Sequence, residues 1–136
     1  MAFATRTLRD DTVADQGVIG ATSGGTVVVQ FDHSADSATT ADAVDASGLS
    51  GHANGAKLSI VRAWWGLSGS VEIQFKGASS DTHAMRFAGS GDYTGGPAVK
   101  NGATNGGATS GDLESIGASA TGFIILELRK DESFTG

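Results

Sequence analysis

The sequence predicts an all-β fold: a single-domain antiparallel β-sandwich or jelly roll with an extended N-terminal arm. Three observations carry this expectation. The 136 residues hold 21 glycines and one proline, and glycine costs about 1 kcal/mol per helical position relative to alanine, which disfavours helices. Apolar residues make up 39% of the chain, too many for a disordered polymer. Those residues occur in short runs with period-two alternation, bounded by Gly, Ser, Asn and Asp every 8 to 12 residues or so.

Taken in order, residues 1–23 read as an extended arm or loop, with Phe3, Leu8 and Val13 set among Arg6 and Arg9. The first strand is GGTVVVQFDHS (24–34), where Val27, Val29 and Phe31 alternate with Val28 and Gln30. TTADAVDASGLSG (39–51) is a weaker strand running into a glycine turn. AKLSIVRAWW (56–65) is the strongest strand. Unbroken alternation puts Leu58, Ile60, Arg62 and Trp64 on one face, and Ser59, Val61, Ala63 and Trp65 on the other. GLSG (66–69) suits a hairpin connection. SVEIQFK (70–76) then returns with Val71, Ile73 and Phe75 inward. THAMRFA (82–88) follows with His83, Met85 and Phe87 sharing a face. GSGDYTGG (89–96) reads as a turn, PAVKN and the small-residue stretch 102–111 as loop, DLESI (112–116) as a brief strand and GFIILELRK (122–130) as the closing one. The expected count is seven to nine strands in one domain spanning 1–136.

One strand in this scheme has two dry sides. Both faces of 56–65 are apolar, and a strand apolar on both faces is buried on both. A two-layer sandwich covers only one of them. The second face, with Val61 and Trp65, is therefore expected beneath the chain's own loops or beneath another subunit, and tryptophan is enriched at interfaces.

Composition excludes several function classes. With no cysteine there is no disulfide framework, thiolate metal site or thiol nucleophile. A formal charge of −6 repels phosphate backbones, so nucleic acid is not an expected partner. No run approaches the length of a membrane-spanning helix, and the first residues lack the apolar stretch of a signal peptide, which reads as a cytosolic start. His33, His52 and His83 lie in separate segments without ligand spacing, and read as surface or strand-end histidines. Gly89, Gly91 and Gly95 miss the dinucleotide fingerprint by one residue and precede no helix. Asp10 with Asp11, or Asp42 with Asp45, form no calcium loop. No serine is marked as a nucleophile. The chain therefore reads as non-enzymatic, with no catalytic, metal or cofactor-binding residues and no cofactor.

VDASGLSG (44–51), LSIVRAWWGLSGSVEIQF (58–75), FAGSGDY (87–93), AVKNG (98–102), SGDLESI (110–116) and GFIILELRK (122–130) together form a pattern of strands and turns covering about two thirds of the chain. In this pattern the sequence resembles small virion structural proteins of tailed phages of marine bacteria and cyanobacteria. The tandem tryptophans and Gly111-Asp112 are its most distinctive parts. The resemblance implies a head decoration (cement) protein, assembled in the host cytoplasm and bound outside the shell of the major capsid protein. It implies a homo-oligomer too, a trimer before a dimer or monomer. The residues expected at interfaces are Phe3, Arg6, Leu8, Arg9, Val61 and Trp65. An alternative is a carbohydrate-binding sandwich or a tail-fibre or adhesin component, with Trp65 or Tyr93 as a stacking platform.

Overall fold

A computed structural model describes residues 3–11, 25–33, 39–45, 48–49, 52–76, 81–100 and 112–134. They form six strands: β1 (Phe3–Asp10), β2 (Thr26–His33), β3 (Thr39–Val44), β4 (His52–Phe75), β5 (Thr82–Tyr93) and β6 (Leu113–Phe134). All pairings are antiparallel and belong to one sheet, ordered β1-β2-β6-β4-β5, with β3 also on β6. The all-β antiparallel expectation holds, and the sheet folds into a nearly closed, barrel-like sandwich. Among the described residues no helix is long and apolar enough to cross a membrane.

The strand count is lower than expected because two long strands replace four short ones. β4 runs 24 residues through the GLSG segment, so 66–69 is not a hairpin. Residues 66–68 stay paired with 121–123 of β6, and β4 resumes with Ser70 opposite Ala118. β6 likewise joins 112–116 to 122–130. Glycine lets both strands depart from regular strand geometry at the same level. Gly69 has φ 87° and Gly122 has φ 138°, conformations that side chains with a Cβ rarely adopt. Gly122 is also forced by proximity, since a Cβ there would lie 2.0 Å from the Gly66 carbonyl oxygen. Residues 89–93, expected as a turn, instead continue β5 alongside 63–66.

On one edge of β6, β3 lies beside 113–117 and β2 beside 122–129, end to end; the other edge carries β4. Inward residues of the two halves then meet. Val27, Val29, Phe31, Leu58, Ile60, Ile124, Leu126 and Leu128 are buried in one cluster with Val71, Ile73, Phe75, Phe87 and Leu113. The seam of the sandwich falls between β1 and β3, where Thr5 Oγ1 donates to the Ala43 carbonyl at 2.9 Å.

Residues 3–10 do not leave the sandwich as an arm. They pair with β2 in register from Phe3↔His33 to Asp10↔Val27, because a neighbouring strand satisfies backbone groups that an isolated arm would leave to water. The rest of the expected arm, 12–23, and the loop 101–111 lie outside the described residues.

Candidate interaction surface

A single inserted residue decides where the tryptophans point. Ile60 faces Leu128 of β6 while Arg62 faces Glu127, so Val61 is the extra residue of a β-bulge. The bulge reverses the alternation. Leu58 and Ile60 point inward before it; Ala63 and Trp65 point inward after it. This corrects the unbroken alternation expected from sequence. Trp64 takes the outer face with Arg62, and Trp65 packs against the core. The Trp65 ring lies 4.7 Å from Phe87, centroid to centroid, and its indole N–H donates to the Ala88 carbonyl at 3.2 Å. Gly91 opposite makes room, since a Cβ there would lie 3.0 Å from the indole.

The outer face of this half of the sheet reads off the register as three rows. One crosses β1 to β4 as Arg9, Val28, Glu127 and Arg62. The next crosses β1 to β5 as Arg6, Gln30, Ile125, Trp64 and Asp92. The third is Asp32, Phe123, Gly66 and Ser90. At the centre Ile125, Trp64 and Phe123 form an apolar patch. Phe123 is 40% exposed and lies across Gly66, where a Cβ would come within 2.9 Å of its ring. Polar groups rim the patch. Arg62 donates to Glu127 at 2.5 Å, and Gln30 to Asp32 at 3.4 Å. The expected second apolar face of Val61, Ala63 and Trp65 does not form, because the bulge turns Ala63 and Trp65 inward; the outer apolar patch is built instead from Trp64 with Ile125 and Phe123 of β6.

Among the residues expected at interfaces, Arg6, Leu8 and Arg9 share β1. Leu8 is the extra residue of another bulge, between Thr7↔Val29 and Arg9↔Val28, and is 45% exposed. Residues 5–9 are all exposed, so β1 is a sheet edge open on both faces. Arg9 is tied to Asp11 at 2.5 Å, which raises its pKa further. The Phe3 side chain lies outside the described residues. A groove of about 310 Å³ opens beneath β1, lined by Thr5, Thr7, Val29, Val44 and Leu49 among others. Val61 and Trp65 lie on β4, three strands away from β1.

The histidines separate by environment. His33 is a strand-end histidine, closing β2, but it is buried and not at the surface; its Nε2 lies 2.7 Å from Ser115 Oγ. Burial lowers its pKa. Gly117 makes space for the ring, since a Cβ there would lie 2.7 Å from Nδ1. His83 was expected beside Met85 and Phe87. A bulge at Ala84, between Ile73↔Met85 and Gln74↔His83, moves it to the outer face. There its Nδ1 lies 2.6 Å from Glu72 Oε2, and hydrogen bonds from His83 and Gln74 hold the Glu72 carboxyl below its usual pKa. The side chains of His52 and Asp42 are outside the described residues. Asp10 and Asp11 are each committed to a cation, Lys130 and Arg9. Tyr93 donates its hydroxyl to the Pro97 carbonyl at 2.5 Å. Among the described residues no group of three or more His, Asp or Glu is placed to hold a metal. What the surface offers is contact: an apolar patch with a charged rim, and an open strand edge.

No family model, curated protein or solved structure matches this chain.

Proposed function

We propose that this chain is a non-enzymatic structural protein of a virion: a decoration protein that seats on the outside of the shell formed by the major capsid protein. The observation that carries the reading is β1. An edge strand exposed on both faces, with Leu8 45% exposed, supplies apolar anchorage and a row of backbone groups for a partner strand. The resemblance of 44–130 to phage virion proteins names that partner. The acidic balance of the chain suits an exterior position better than one facing packaged DNA.

Such a protein works by mass action. Binding only the assembled lattice adds free energy to that state, and repeated copies engaging neighbouring subunits multiply the effect. Of the two aromatics a sugar-binding reading would use, Trp65 is turned against Phe87 and Tyr93 is bonded to Pro97, so that reading gains no support from either.

The test is Leu8→Asp with co-sedimentation on shells of the major capsid protein. This variant is preferable to deleting the N-terminal residues, because Asp10 holds a buried lysine. A weakening of shell binding by roughly tenfold or more is expected, with the melting temperature unchanged, as for loss of an interface anchor. Equal binding by variant and parent would refute the reading.

A further inference from the structure

The outer face of β1, β2, β6, β4 and β5 carries more than an apolar patch: its charge is ordered across the strands. The middle row runs Arg6, Gln30, Ile125, Trp64, Asp92, with a cation at the β1 edge, a carboxylate at the β5 edge and apolar groups between. Neither Arg6 nor Asp92 has an ion-pair partner among the described residues, and both are exposed. We propose that this face docks against the same face of a second copy, about a two-fold axis running along β6.

The charges choose the axis. A two-fold contact places the same patch on both copies, so the patch must complement itself. An axis perpendicular to the strands would set β1 on β1 and bring Arg6 against Arg6. An axis along β6 sets β1 over β5 of the other copy, so Arg6 meets Asp92 at both ends of the row. Ile125 and Phe123 then lie on the axis, and Trp64 covers Gln30 of the facing sheet. Glu127 also falls near the axis, and each Glu127 is already neutralised by Arg62 of its own chain at 2.5 Å.

Size is consistent with a specific contact. Four strands about 26 Å long and the shorter β5 segment paired with 63–66, spaced about 4.8 Å apart, present on the order of 550 Å² per copy, hence about 1,100 Å² in total, just above the roughly 1,000 Å² that a specific contact needs. Aromatics at the centre and charges at the rim are the usual anatomy of such a contact. The proposal departs from the trimer that the resemblance implies, and its test needs no capsid shell, so it and the shell-binding reading stand or fall separately.

The experiment is sedimentation equilibrium of the purified chain over a wide concentration range. A monomer–dimer equilibrium is expected, weakened by salt because the rim pairs are exposed. Arg6→Asp and Asp92→Arg should each weaken dimerisation roughly fivefold or more, and the double reversal should restore it to within about twofold of the parent. Trp64→Ala should weaken it about tenfold, as loss of a central aromatic does. A chain that stays monomeric at every concentration overturns the proposal without any variant. So does a three-fold assembly, or a dimer in which the double reversal fails to rescue.

Discussion

Val61 shows how much one residue carries. Without its bulge Trp64 would join Leu58 and Ile60 in the core, and Trp65 would face outward. Composition and period-two alternation make β2 readable from Val27, Val29 and Phe31, because eight residues there keep one unbroken phase. They cannot reveal a single-residue insertion, since a bulge depends on which partner strand lies alongside. The same limit hid the outward turn of His83. The burial of His33 escapes the sequence for another reason: a polar residue at a strand end, beside Asp32 and Ser34, looks solvent-facing. Only the pairing of β2 with β6 places it over Gly117 and beside Ser115. That burial has a pH consequence. Burial holds the folded-state pKa of His33 below the ordinary imidazole value of 6.5, so as pH falls past that value the unfolded chain binds the extra proton first. The stability His33 contributes is complete above about pH 6.5 and is lost as pH falls toward the lower folded value. Urea unfolding should show a decline of at most about 1.4 kcal/mol per pH unit in that window for a single group. His33→Gln should flatten it. Glu72, whose folded pKa is lowered from 4.5, contributes stability that is complete above that value and is lost only as pH falls below it, outside the His33 window. A parent profile that is flat between about pH 6.5 and 5 would contradict this assignment.

At the scale of elements, β4 and β6 organise the molecule. Each passes through both halves of the sandwich, and both depart from regular strand backbone close together, β4 at Gly69 and β6 at Gly122. The sequence shows glycines at these points but reads them as chain reversals, because a glycine between apolar runs marks a hairpin as readily as a bent strand. What separates the two is a long-range fact, the presence of a second long strand with its own glycine at the same level. Gly122 should therefore tolerate nothing else. An added Cβ would meet the Gly66 carbonyl at 2.0 Å and would need φ 138°. Gly122→Ala is expected to lower the unfolding free energy by about 3 kcal/mol or more, combining backbone strain with a steric clash. Gly48→Ala has open space around its Cβ, and should stay within about 0.5 kcal/mol of the parent. Thermal and urea unfolding of the two variants side by side gives the comparison. Equal melting temperatures would mean that β4 and β6 can separate at this point without cost.

For the whole molecule, the question is what holds an exposed edge strand to the sheet when none of residues 5–9 is buried. β1 gains little from apolar burial, so its attachment rests on its backbone ladder with β2, the Thr5–Ala43 bond and its end. There Lys130 of β6, fully buried, donates from Nζ to Asp10 Oδ1 and to the Asp11 carbonyl, both at 2.7 Å. First and last strands are thereby joined through a charge taken out of water. Such a pair adds little net stability against a hydrophobic replacement, but breaking it on one side leaves an uncompensated charge. The two kinds of variant should therefore behave oppositely. Asp10→Ala is expected to cost about 3 to 5 kcal/mol in unfolding free energy, or to release β1 from the sheet. The pair Lys130→Met with Asp10→Leu removes both charges, and should recover most of that loss. Hydrogen exchange separates the two routes: if β1 detaches alone, amides of β1 and β2 lose protection while those of β4 and β5 keep it. The shell-binding reading adds a further expectation, since a detached β1 presents no ordered edge; Asp10→Ala should then lose shell binding even where the rest of the sandwich stays folded. Full shell binding by a variant whose β1 amides exchange freely would separate the edge strand from the contact it is proposed to make.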